Sequence, residues 1–284
     1  MSWIEISDLH KNYGKKDVIN GLDLHVENGI NLILGDNGAG KSTLISIIEG
    51  LTRFKSGNVR VIGLDPRKEA KKVMERVSFI PESPAFFGSQ IIQEYLNIYT
   101  KLNGGSLECL KYYMDTFGIS EIAESHFQSL SKGEAQLVQI AASLSTQKEY
   151  FVMDEPNSNL DARRRGDLSR EIEDLRKRNG SSFLIVTHIA DDIYPISDRI
   201  YTMKSGNIKL TATPNEVITG NLVQTVIIRA SDLQGIRESL KHFNTVQRGQ
   251  ELIVKCENVY RIIKSLSEEQ IESIISIKKS LEIP

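Results

Sequence analysis

Apolar residues recur along the chain in short runs of two kinds. Trp3 to Ile6 and Leu22 to Val26 alternate apolar with polar positions, as half-buried strands do. Ile30 to Leu34, Tyr150 to Met153 and Phe183 to His188 are nearly unbroken apolar segments of strand length, the pattern of buried strands. Val59 to Ile62 and Val77 to Ile80 are two more strand candidates, and Pro81 and Pro84 keep the segment after the second out of helix. Residues 90–117 follow a helical period with a break at Asn103-Gly104-Gly105. Further helices span about Ala135 to Leu144 and, highly charged, Arg163 to Arg178. Lys11 to Lys16 reads as a polar loop, and Ser56 to Asn58 and Gly63 to Pro66 as turns. Asp198 to Lys204 and Asn207 to Leu210 form a hairpin around Ser205-Gly206. Interleaved strands and helices put residues 1–215 in the α/β class, with a helical insertion at about 88–145.

The rhythm changes after a linker at residues 211–222. Val223 to Arg229 alternates as a strand, Ser231 to His242 is helical, and Thr245 to Arg248 and Leu252 to Cys256 pair around Gly249. Val259 to Ser267 is helical and Ile271 to Ile277 is a last strand candidate. The order βαββαβ predicts a small α+β domain over residues 216–284, without a catalytic cluster.

One turn carries chemistry. Gly35-Asp36-Asn37-Gly38-Ala39-Gly40-Lys41-Ser42-Thr43 fits G-x-x-x-x-G-K-[ST], between the apolar strand and a helix closed by Gly50. Glycines let successive N–H groups point inward at phosphate oxygens, and the helix adds its positive end. Lys41 supplies a charge for the β- and γ-phosphates and Ser42 a hydroxyl for Mg²⁺. Asp154 and Glu155 end a buried strand, where paired carboxylates are costly unless they face a cation or a hydrogen-bond donor. Beside a phosphate loop the first belongs with Mg²⁺ and the second with an attacking water. His188 ends the next buried strand; a lone histidine there is usually structural, but this one falls at the sheet edge where α/β folds bind ligands, so both readings stand.

Three further features keep two readings from the residues alone. Tyr13 either stacks on an adenine ring or anchors its loop. Ser131 and Glu134 stand at capping-box spacing, so Ser131 either caps a helix or faces a phosphate. Arg163-Arg164-Arg165 suggests an anion site, but interleaved Glu171, Glu173 and Asp174 favour a solvated helix face.

Composition adds limits. A net charge of −2 gives no sign of a nucleic-acid surface, and no nucleic-acid partner is expected. Cys109 and Cys256 fit no metal spacing, which suggests a reducing compartment. The N-terminus lacks the apolar core of a signal peptide, and no apolar run approaches the roughly 20 residues of a membrane span. Any membrane-spanning part is expected in another chain.

With these residues in place, the chain resembles the ATP-binding subunit of an ABC transporter over about residues 2–215. Gly35 to Thr43 resembles the Walker A loop, Tyr13 the A-loop aromatic and Glu82 the Q-loop residue. Leu130 to Glu134 resembles the LSGGQ signature, Asp154 and Glu155 Walker B, Ser158 to Asp161 the D-loop and His188 the H-loop. The resemblance implies a P-loop ABC-type ATPase with a helical subdomain and an antiparallel β edge. It implies ATP and Mg²⁺ as cofactors, with Ser42, Glu82 and Asp154 at the metal.

It further implies a second ATP-binding subunit, identical or related, that supplies Ser131 and Gly133 to the γ-phosphate. Glu155 would act as general base and His188 would hold the γ-phosphate and the water. A membrane-spanning permease subunit would receive the closing motion, at the cytoplasmic face of the membrane. Glu82 replaces the usual glutamine, and Pro81-Glu82 resembles the branch of drug, peptide and antibiotic exporters. Lys132 and Glu134 replace the signature's glycine and glutamine, and Leu137 its usual arginine. A cassette that gates with little hydrolysis is therefore one alternative. A soluble ATPase acting on ribosomes or DNA is another, although the chain has one cassette and no long coiled coil.

Overall fold

The computed structural model describes residues 2–214 except 85, 87, 190 and 191, and beyond them 222–229, 233–256, 262, 265–267, 270 and 274–281. The chain divides into two compact units, Met1–Pro214 and Asn215–Pro284.

The first unit is built on β3 (Ile30–Leu34), β6 (Tyr150–Asp154) and β7 (Ser182–Thr187), almost wholly buried. Side chains apolar on both faces need cover on both faces, which is why these runs become central strands. They lie side by side in a six-stranded sheet, ordered β5-β6-β7-β3-β8-β9. Here β5 is Val77–Ile80, β8 Arg199–Lys204 and β9 Asn207–Ala212. All neighbours are parallel except the terminal hairpin β8–β9. The carboxyl ends of β3, β7 and β6 are therefore adjacent, and three separate sequence segments meet at one edge.

A second, antiparallel sheet orders β2-β1-β4, with β1 Ser2–Tyr13, β2 Lys16–Glu27 and β4 Ser56–Val61. Two expectations need correction here. Lys11 to Lys16 is no open loop: the strands run through it, Tyr13 pairs with Lys16, and only Gly14-Lys15 turns. That end of the ribbon lies outside the core, so its residues are polar although extended. Ser56 to Asn58 is likewise strand, paired with Ser7 and His10. Gly57 (φ 105°) lies so close to β1 that a Cβ would come 2.5 Å from the Asp8 carbonyl oxygen. A turn-forming residue here serves a close strand crossing.

The helices are α1 (Lys41–Ile48), α2 (Ala70–Arg76), α3 (Ile92–Leu102), α4 (Leu107–Thr116), α5 (Lys132–Leu144) and α6 (Ala162–Asn179). Only α2 was not anticipated, because its single buried residue, Val73, leaves no periodic signal. The break at Asn103-Gly104-Gly105 separates α3 from α4 as expected.

The second unit has a four-stranded antiparallel sheet, order β11-β12-β10-β13. Its strands are β10 (Leu222–Arg229), β11 (Asn244–Arg248), β12 (Glu251–Cys256) and β13 (Ile274–Leu281). Helix α7 (Leu233–Ser239) packs Ile236 on Val226, Ile228, Leu252 and Val254, and Ile262 and Leu266 join that core. The expected helix over 259–267 lies largely outside the described residues.

Candidate active site at the sheet edge

The phosphate loop leaves β3 and closes on Gly40, whose φ of 105° belongs to the left-handed region that favours glycine. Gly35 is required by space: a Cβ there would stand 2.4 Å from the Met203 carbonyl oxygen. No side chain caps α1, so its first N–H groups are left for an anion. Lys41, 6% exposed, donates from Nζ to the Gly35 carbonyl at 2.6 Å and lies 3.5 Å from Glu155 Oε1.

A cavity of 620 Å³ opens over this loop. Tyr13, Asn37, Gly38, Gly40, Lys41, Ser42, Thr43, Glu82, Glu155 and His188 all line it. Gly35, Asp36 and Ala39 shape the loop from behind, where the Ala39 N–H donates to the Asp36 carbonyl. Tyr13 stands at the rim, half exposed, with the Lys11 ammonium 4.2 Å from its ring centroid. Sequence reasoning missed Lys16, Asp17, Val18, Ser205 and Gly206, which complete the wall from β2 and the β8–β9 turn. Topology brings them there, and no local pattern marks them.

The two carboxylates behave differently. Asp154 is buried, and burial, followed by the charges of Glu155 and Glu82, pushes it up to about 6. The Ser42 hydroxyl beside it opposes this shift, and among the described residues Oδ1 is buried without a partner. An unsatisfied carboxylate oxygen beside a serine hydroxyl fits a hard divalent cation. Among the described residues no cluster of three or more His, Cys, Asp or Glu could hold a metal alone.

Glu155 follows with a left-handed backbone, φ 46°, the kind of strain that clusters at functional sites. Burial pushes its carboxyl up, but hydrogen bonds from His188 and Thr187 outweigh this and hold it below the usual range. Its Oε2 accepts from Thr187 Oγ1 at 2.8 Å and the His188 N–H at 3.1 Å, and lies 2.9 Å from His188 Nδ1. Thr187 was not anticipated, although it immediately precedes His188.

Ser131 and Gly133 do not line this cavity. Ser131 caps α5 in a full capping box: its hydroxyl and N–H both donate to Glu134 Oε2, at 2.7 and 2.9 Å. Among the described residues no helix is long and apolar enough to cross a membrane.

The comparisons agree with this geometry. The family profile described as "ABC transporter" matches residues 19–158. A putative ABC transporter ATP-binding protein of Pyrococcus furiosus is 31% identical over 68% of this chain and 76% of its own length. The chain belongs to the ABC transporter ATP-binding family. The linearmycin resistance ATP-binding protein LnrL of Bacillus subtilis is 28% identical over 86% of this chain and 81% of its own length. The sn-glycerol-3-phosphate import protein UgpC 1 of Rhizobium johnstonii is 30% identical over 76% of this chain, which spans 60% of that relative. A solved ATP-binding subunit of an ABC transporter superposes with a TM-score of 0.69 over 76% of this chain and 92% of its own, at 23% identity, and shows the shared fold. As an ABC ATPase domain, the first unit binds ATP.

Proposed function

We propose that this chain is the ATP-hydrolysing subunit of a membrane transporter, working as a dimer that encloses two nucleotides. The observation that carries the reading is the convergence of the phosphate loop, Lys41, Ser42, Glu155 and His188 on one cavity. Phosphoryl transfer to water needs these groups and little covalent chemistry. The loop N–H groups and Lys41 take the phosphates, and Tyr13 stacks on the adenine. Ser42, Asp154 and Glu82 would hold Mg²⁺, which would supply positive charge against the phosphate oxygens. Lys41 now leans on Glu155; an incoming phosphate replaces that counter-charge and frees the carboxylate for water. Glu155 then accepts or orients the water's proton while His188 fixes the carboxylate and the γ-phosphate.

Ser131 and Gly133 of the second subunit close the site. The loop around Glu82 and the helical insertion pass this closure to a membrane-spanning permease at the cytoplasmic face. Export is the favoured direction, supported by Pro81-Glu82 and by the relative named for linearmycin resistance. The import relative makes a transport assay in vesicles the deciding measurement.

Glu155→Gln should bind MgATP normally and lose at least about 100-fold in turnover. Lys41→Ala should lose nucleotide binding. Normal turnover in the first variant, or unchanged affinity in the second, overturns the assignment. A second reading, gating with little hydrolysis, is favoured by one contact: Glu134 already occupies the Ser131 hydroxyl. Negligible ATPase activity of the native chain together with its permease would select it.

A further inference from the structure

We infer that Asn157 and Arg165 are positioning residues that tie the turn after Glu155 to the segment carrying His188. What the Glu155–His188 pair does rests on the hydrolytic reading above; the brace itself is read from contacts.

Asn157 is fully buried. Its Nδ2 donates to the Ile189 carbonyl at 2.9 Å, and its Oδ1 lies 3.1 Å from the Thr187 hydroxyl. That hydroxyl, 2.8 Å from Glu155 Oε2, also accepts the Ile189 N–H at 3.0 Å. Ile189 is thus held through both backbone groups: the Thr187 hydroxyl meets its N–H and lies 3.2 Å from its carbonyl, and Asn157 gives that carbonyl its shorter bond. His188 lies between two fixed neighbours, with its own N–H on the Glu155 carboxylate. Deleting the amide would leave the Ile189 carbonyl with the longer contact to a Thr187 hydroxyl that it shares with Glu155, and that hydroxyl with one neighbour fewer.

Arg165 repeats the tie farther out. On α6, it donates from Nε to Asp192 Oδ2 at 2.6 Å and from Nη1 to the Leu160 carbonyl at 3.2 Å. Leu160 ends the turn that begins at Asn157, and Asp192 follows the segment of His188. A planar guanidinium can bond in both directions at once; an ammonium on a flexible stem holds this geometry poorly. Asn157, Thr187, Arg165 and Asp192 do not line the cavity, so they act through Glu155 and His188 rather than on the nucleotide. Misplacement of a reacting group by about 1 Å can cost on the order of 100-fold, so a brace of this kind matters to rate.

The test uses the full-length chain with two readouts. In the nucleotide-free protein, Asn157→Leu should raise hydrogen exchange at the His188 and Ile189 amides while α1 and β3 keep their protection. In steady-state kinetics, Asn157→Leu should lower kcat on the order of tenfold with KM for MgATP within about twofold. Arg165→Lys should show the same split more weakly, and Arg165→Ala more strongly. Unchanged exchange at Ile189 overturns the brace. Raised exchange with native kcat, or kcat and MgATP affinity falling together with a general loss of protection, overturns its role in positioning. Failure of the hydrolytic reading appears elsewhere, as native turnover in Glu155→Gln, and leaves the exchange result standing.

Discussion

Among the described residues, Asp154 has one oxygen without a partner, and its carboxyl group is pushed up to about 6. An unfolded chain would release that proton near the ordinary value of 3.8. Between these two values the native state binds more proton than the unfolded state, so raising the pH through the window lowers native stability. Asp154→Asn removes the charge and its cost. The nucleotide-free variant should therefore melt a few degrees above the native protein at neutral pH, with the gap narrowing as the pH falls toward 4. A gap that stays constant with pH would show that the ionised carboxylate is not the source. Asp154 and Glu155 could be picked out in sequence because two carboxylates at the end of an apolar strand need a reason. Their opposite titration could not, because it depends on burial and on Thr187, His188 and Glu82 arriving from two other segments. The left-handed backbone of Glu155 is likewise set by its neighbours, where its N–H donates to the Val186 carbonyl at 2.7 Å.

Elements built on strong periodicity were readable. The runs of β3, β6 and β7 need burial on both faces, and the glycine pair at 104–105 ends one helix before the next. The ribbon β1–β2 was misread near its tip because polar residues in a solvated strand look like loop residues. At α5 the capping reading is realised: Ser131 and Glu134 satisfy each other at the helix start. Ser131→Ala should cost about 1 kcal/mol of stability, measurable by denaturant unfolding. No loss would mean that Glu134 alone holds the N-terminus. Gly35→Ala tests the phosphate loop. Its new methyl meets the backbone oxygen of Met203 at 2.4 Å, so either β8 or the phosphate loop must shift. ATP affinity should fall by more than the change in stability explains. Native affinity would show that the loop tolerates the shift.

At the scale of the whole molecule, the phosphate loop lines the cavity, and Ser131 and Gly133 stand outside it. Gly133 packs so tightly that a Cβ would lie 2.6 Å from the Asn159 carbonyl oxygen, in the turn that follows Glu155. The start of α5 and the turn after Glu155 are therefore in contact within one chain. If two chains meet head to tail, the turn of each lies beside the helix end that the other chain's phosphate faces. The two sites would then close together. Glu155→Gln should accordingly elute as a dimer with MgATP and as a monomer with MgADP, because only the triphosphate reaches the second subunit. Adding Ser131→Arg, which places a bulky side chain where the γ-phosphate must pass, should return the MgATP form to monomer while one-sided nucleotide binding persists. Equal elution with both nucleotides would sink the shared-site arrangement, and a dimer that survives Ser131→Arg would remove the signature helix from the interface.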